Sequence, residues 1–237
     1  MDDALVSAAA QMAALERRLD LAAENLAHAR TPGWLRRTAA TRSFDAELNA
    51  ARAGSLVKVE EGLSFAPGEL TPSNNPAAVA IQGDAFFEVK TPDGPGWTRN
   101  GDFEFQNDVL TTRSGLVVQG DGADIRRVPG GGDVRFENDG RVMQGGAEIG
   151  RLRLTRFANR DALAPISDTV LAARPGMDPI PSSAADARVA AGMLELPRDG
   201  AVHGLVEMIT VHRGYDAAQR VVMAIHESYE RRMRSTD

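Results

Sequence analysis

The chain has 237 residues, 43% hydrophobic and 25% charged, with a net charge of −6 and a pI near 5.3. That composition suits one large or two modest domains with a buried core, and it argues against a nucleic-acid partner, whose backbone favours a basic surface. Cysteine is absent, which excludes disulfides, thiol chemistry and Cys-ligated metals.

The first predicted element is a long helix. Leu5, Ala8, Met12, Leu15, Leu19, Ala22 and Leu26 follow at alternating spacings of 3 and 4, the heptad pattern of a left-handed coiled coil. Glu16, Arg17, Arg18, Asp20 and Glu24 flank that stripe as a polar outer face. They also interrupt the apolar run that a signal peptide needs, and the chain opens on two acids where a basic region would stand. Pro32 cannot continue a helix and disfavours it at Thr31, while Gly33 tolerates a left-handed conformation, so the helix is expected to end near Arg30.

The middle of the chain alternates β-type runs with Gly, Pro, Asn and Asp. "AVAIQGD", "AFFEVK", "GWTRNGDFEF", "VLTTRSG" and "LVVQGDG" read as strand-and-turn units. "VRFENDGRVM" reads as a hairpin turned at Asp139-Gly140. "EIGRLRLTRF" reads as one further strand with Ile149, Leu152 and Leu154 facing nearly the same way. The Pro- and Ser-rich segment "PISDTVLAARPGMDPIPSSAADAR" reads as mostly loop with one short strand at 170–172.

A second helix closes the chain. Met208, Val211, Tyr215, Ala218, Val222, Ile225 and Tyr229 repeat the 3-4 spacing, with Asp199 and Gly200 placed to cap it. The expected fold is therefore α+β. Residues 1–50 and 198–237 form a discontinuous helical assembly domain, pairing as a coiled coil. Residues 51–75 are an extended linker, and residues 76–197 are a central all-β domain. Seven modest side chains at ~1.5–3 kcal/mol each, less for the alanines, do not by themselves offset backbone entropy of about 1–2 kcal/mol per ordered residue, and helical hydrogen bonds return only ~1 kcal/mol each. One stripe against one stripe is marginal, so the ends are expected to order fully only with further neighbours. No run of the ~18 apolar residues that suggest a spanning helix occurs, so membrane insertion is not expected.

Catalytic patterns are weak. "HESYE" places Glu227 where a metalloprotease base stands after His226, but the second ligand is Glu230 where the zinc motif needs His. His203 and His212 lie nine residues apart, on opposite sides of one helix, and cannot share an ion. "GGG" at 130–132 opens no helix and is followed by no Gly-Lys-Ser/Thr. Ser64, Ser73 and Ser114 lack a nucleophile elbow. No enzyme, metal or cofactor is expected. Two rival readings stand beside the assembly reading: a hydrolase using His226, Glu227 and Glu230, and a β-rich binding module dimerised by its helical ends.

Three segments resemble one family, the bacterial flagellar rod and hook proteins. "LAAENLAHARTPGW" is similar to its N-terminal signature, with Asn25, Leu26, Ala27, Thr31, Gly33 and the aromatic Trp34 on motif positions. "NPAAVAIQGDAFFEVKTPDGPGWTRNGDFEFQNDVLTTRSGLVVQGDG" resembles the central signature, and "LVEMITVHRGYDAAQRVVMAIHE" the C-terminal helix, with Glu207, Met208, Ile209, Arg213 and Tyr215 matching. His28, Ala77-Ala78, Ala85, Ala218 and "LPRDGAV" depart from the family pattern. The length resembles that of the medium-sized rod members, and the Met-Asp start and Thr-Pro-Gly-aromatic turn look more like the proximal-rod member than the distal-rod or hook members.

This resemblance implies a structural subunit of the basal-body rod, part of the axial drive shaft for motility. Its partners would be other rod subunits and the flagellar type III export apparatus. It would lie in the periplasmic rod after leaving the cytoplasm without a cleaved signal peptide. The expected interface is Leu5, Met12, Leu15, Leu19, Asn25, Leu26, Pro32, Gly33, Trp34, Met208, Val211, Tyr215, Val222, Ile225 and Tyr229.

Overall fold

The fold was read from a computed structural model that describes residues 2–40, 60–182, 186–198 and 200–234. It is α+β: a helix at each end and a mostly β middle. The chain divides into two compact units. The first comprises Met1–Ala29, Arg36–Ser64 and Asp199–Asp237, and the second Arg30–Leu35 and Phe65–Arg198.

The first unit holds helix α1 (Asp2–Ala27) and helix α2 (Gly200–Arg234). They run antiparallel and approach through glycines. A Cβ on Gly204 would lie 3.4 Å from a Leu26 methyl, and one on Gly214 would lie 3.5 Å from a Leu15 methyl. Strand β1 (Arg37–Ala40) pairs antiparallel with β2 (Glu60–Leu63), inside the stretch expected to be a linker. Asp199, expected as a cap, lies outside the described residues.

Asn25 joins helix to strand. Its Nδ2 donates to the Arg37 carbonyl at 2.8 Å, and its Oδ1 accepts from the Arg37 amide at 2.9 Å. The side-chain amide thus stands in for a neighbouring strand at the start of β1. Alanine there would remove both of these hydrogen bonds, so Asn25→Ala is expected to destabilise the helical unit by about 1–2 kcal/mol. Loss of helical signal at lower denaturant, with the β unit's transition unmoved, is the measurement that checks it.

The second unit carries the remaining strands. β3 (Glu69–Pro72) precedes β4 (Val79–Gly83), followed by β5 (Phe86–Thr91), β6 (Gly94–Thr98), β7 (Phe103–Gln106), β8 (Val109–Thr112) and β9 (Val117–Val118). After them come β10 (Val134–Phe136), β11 (Arg141–Gln144), β12 (Ala147–Arg151) and β13 (Leu154–Arg156). The last are β14 (Leu163–Pro165), β15 (Val170–Ala173), β16 (Ile180–Pro181), β17 (Ala187–Ala191) and β18 (Met193–Leu196). The main sheet runs β14-β15-β6-β5-β9-β8-β7, with β13 attached to β5 and β16 to β13.

Strand β5 organises this unit because adjacent residues on a strand face opposite sides. Phe87 and Val89 enter one core with Phe103, Leu110, Val118, Ile125 and Val142, and the Phe87 and Phe103 rings meet edge-on at 5.0 Å. Phe86 faces the other way, into an aromatic cluster with Phe65 and Phe157, and Trp97 packs on Phe157 at 5.1 Å. The Asp139-Gly140 hairpin forms as the sequence predicts, joining β10 to β11 with Gly140 at φ +85°.

Two expectations for the middle are corrected. "EIGRLRLTRF" is two strands in different sheets: β12 pairs with β11, and β13 with β5 and β16. The segment expected to be mostly loop also contributes β16 and the start of β17, which pairs along all of β4. These strands are short or alanine-rich, and distant partners supply the pairing that their own propensity does not.

Candidate assembly surface

The two heptad stripes are where the chain departs from a self-contained fold. On α1 the described stripe residues Met12, Leu15, Leu19 and Leu26 are half-buried, while Leu21 and Ala22 are buried. On α2 Val211 is buried, and Met208, Tyr215, Val222 and Ile225 are half-buried. The side chains of Leu5 and Tyr229 lie outside the described residues. Leu21, Ala22 and Val211 are the buried apolar residues of this unit among those described. That is a thin core for helices of 26 and 35 residues.

Away from the stripe, α2 exposes Val202, Leu205, Val206 and Ile209 near its start, and Val221 and Met223 further on. At 3.6 residues per turn the first four share one side of the helix, well round from Val211. Val202 is 77% and Val206 56% exposed, so this side is dressed as a core without being one. The sequence analysis missed it and missed Leu21. A second apolar series at 202, 205, 206 and 209 is visible in the sequence when the whole circumference of the helix is read and not one stripe.

Ion pairs bracket the helical unit. Arg17 bonds Glu61 through Nε and Nη2 at 2.8 and 2.5 Å, and that hydrogen bond raises the guanidinium pKa above its ordinary value. Arg37 pairs with Glu24 at 2.9 Å, and Arg36 with Glu207. Pairs this exposed contribute ~1 kcal/mol or less each; they set register more than stability.

Pro32, Gly33 and Trp34 sit elsewhere. They belong to the β unit, with Pro32 half-buried and Gly33 and Trp34 buried inside this one chain. Gly33 and Trp34 therefore keep almost no surface to offer another subunit, while Pro32 keeps part of its own. The Gly33 amide donates to the Glu195 carbonyl at 2.8 Å. Its φ is +71°, and a Cβ there would stand 2.1 Å from the Asn100 nitrogen, so only glycine fits.

Glu195 leads to a buried cluster that the sequence analysis did not single out. Arg99 and Glu195 are each 8% exposed at the side chain, and Arg99 Nε donates to Glu195 Oε2 at 2.7 Å. Arg99 also donates to the carbonyls of Gly83 (2.7 Å), Ala85 (2.6 Å) and Ile81 (3.1 Å), while Glu195 Oε1 accepts from the Gly68 amide at 2.8 Å. The signal was available: "MLEL" puts a lone acid among apolar residues, and "WTRNG" puts a lone base at the end of an apolar strand. The rest of that corner is self-bonded. Thr98 Oγ1 donates to Thr169, Asn100 Oδ1 accepts from the Asp102 amide, and a Cβ on Gly101 would meet the Val79 carbonyl at 1.7 Å.

No group of three or more His, Asp or Glu suited to a metal occurs among the described residues. His212 and His226 are exposed on α2, and Glu227 is engaged with Arg231 at 3.3 Å. Among those residues no helix is long and apolar enough to cross a membrane.

Comparison with known proteins bears on this arrangement. Residues 80–144 match the family model described as "Flagellar hook protein FlgE/F/G D1 domain". The chain is similar to the flagellar basal-body rod protein FlgF of Caulobacter vibrioides, 28% identical over 229 residues, covering 94% of this chain and 93% of the relative. FlgF of Escherichia coli is 27% identical over 244 residues, covering 96% of each. The flagellar basal-body rod protein FlgG of Bacillus subtilis is 24% identical over 261 residues, covering 94% and 95%.

Proposed function

We propose that this chain is a structural subunit of the bacterial flagellar basal-body rod, of the FlgF kind, and that it assembles through its terminal helices. The observation that carries the reading is likeness to FlgF proteins over almost the whole of both chains, 91–96% of this one. A likeness confined to the central domain would say nothing about the ends. Here it includes both helices, where the exposed apolar side of α2 lies.

Physical reasoning supports the ends as the working part. The half-buried stripe residues and the outward-facing Val202, Leu205, Val206 and Ile209 leave apolar surface that one chain does not cover. Each such side chain gains on the order of 1 kcal/mol for the half or more of it still exposed, and several acting together overcome the cost of association. In this reading the two helices pair as a coiled coil, neighbouring copies or homologous rod subunits cover their outer sides, and torque passes through that packing. The subunit reaches the periplasmic rod from the cytoplasm through the flagellar type III export apparatus.

The test is Ile209→Glu in the full chain. Ile209 is 51% exposed, so the single chain should keep its helicity and unfolding midpoint while incorporation into rods and motility are lost. Wild-type rod assembly with Glu at 209 would remove this side of α2 from the interface.

A further inference from the structure

The buried Arg99–Glu195 pair suggests how the chain controls the turn that follows α1. We infer that residues 30–35 are seated in the β unit by that pair, so that the turn keeps its conformation whether or not the helices are packed. The inference goes beyond the rod reading and does not depend on it.

Three observations converge on the seat, all within the β unit. Gly33 is held at its amide by the Glu195 carbonyl and is so closely approached by Asn100 that no side chain fits. Trp34 is 4% exposed. The residue that accepts from Gly33 is the same one whose carboxylate is fixed by Arg99 and by the Gly68 amide. Arg99 in turn is locked by the carbonyls of Ile81, Gly83 and Ala85, on β4 and in the turn before β5. Glu195 therefore cannot shift its backbone without disturbing charge-assisted bonds on its side chain, and those bonds are strong where water is excluded. A helix-terminating Pro-Gly by itself leaves the following residues many conformations; here Glu195 selects one. Because the anchors lie on β4, on β18 and in the turn before β5, loosening α1 and α2 removes none of them.

The chain supplies its own reporter. Its two tryptophans are Trp34 and Trp97, and the Trp97 Nε1 is buried without a hydrogen-bond partner, so Trp97→Phe breaks no hydrogen bond and leaves Trp34 alone to fluoresce. In that full-length background, Val211→Asp should unpack the helices while Trp34 emission stays blue and shielded from acrylamide. Gly33→Ala should do the reverse: emission moves red and acrylamide quenching rises several-fold, with the β unit's thermal transition retained. Glu195→Gln should also expose Trp34, and amide exchange at Gly33 should accelerate by about tenfold or more. If Glu195→Gln unfolds the β unit outright, the Gly33→Ala and Val211→Asp arms still decide. Trp34 exposed by Val211→Asp would mean that helix packing holds the turn, and Trp34 still shielded in Gly33→Ala would mean that the Gly33 contact does not; either overturns the inference. All readings are taken on unassembled protein, so a failure here is separable from a failure of rod assembly.

Discussion

Replacing Arg99 with alanine should cost the β unit about 3–5 kcal/mol, the range for removing one member of a buried ion pair. The loss has two parts. The Glu195 carboxylate keeps the Gly68 amide but loses its countercharge in a site where its side chain is 8% exposed. Three backbone carbonyls, at Ile81, Gly83 and Ala85, lose their donor. Against a typical total of 5–15 kcal/mol, that brings the unit near its unfolding threshold, visible as a large drop in denaturant midpoint. Removing both charges together, Arg99→Met with Glu195→Leu, should recover most of the loss, since no unpaired charge remains. A single-site cost below about 1 kcal/mol would show that the pair is solvated and constrains nothing.

Val211→Asp should have the second large effect, in the other unit. Val211 is 5% exposed on the side of α2 that carries Met208 and Tyr215, and beside Gly214, which packs on Leu15. Burying an ionised carboxylate there carries a desolvation penalty of several kcal/mol. The helical unit is poorly placed to absorb it, because Leu21, Ala22 and Val211 are its buried apolar residues among those described. The expected result is loss of most far-UV helical signal and of rod assembly, with the aromatic near-UV signal of Trp97, Phe86 and Phe157 intact. Full helicity with normal assembly would contradict both the thin-core argument and the role of the stripe.

Much of the fold was legible because it is locally written. The 3-4 spacing marked both helices, and the Pro-Gly stop placed the end of α1 within a few residues of Ala27. Gly-rich turns between apolar runs marked β4 to β9, and Asp139-Gly140 marked its hairpin. Illegible elements were those whose identity depends on distant chain: β17 (Ala187–Ala191) becomes a strand by pairing with Val79–Gly83, and β3 by pairing with Met193–Leu196. The candidate surface divides similarly. The stripe through Val211 was predicted from spacing. The exposed Val202–Ile209 side was not, because a periodicity shows that apolar residues share a face but not which face finds a partner.

Asn25, Gly33 and Trp34 draw the line most sharply. Around them, Pro32 and Gly33 announce a helix end and a left-handed turn by residue type alone, because backbone sterics act within a few residues. What they are buried against is another matter. Asn25 turns out to complete a strand edge at Arg37, and Gly33 rests on Glu195, 162 positions along the chain. Local conformational preference is a property of neighbours in sequence and is carried by the sequence. Burial and charge pairing are properties of neighbours in space, and for Arg99 and Glu195 only the folded sheets bring those neighbours together.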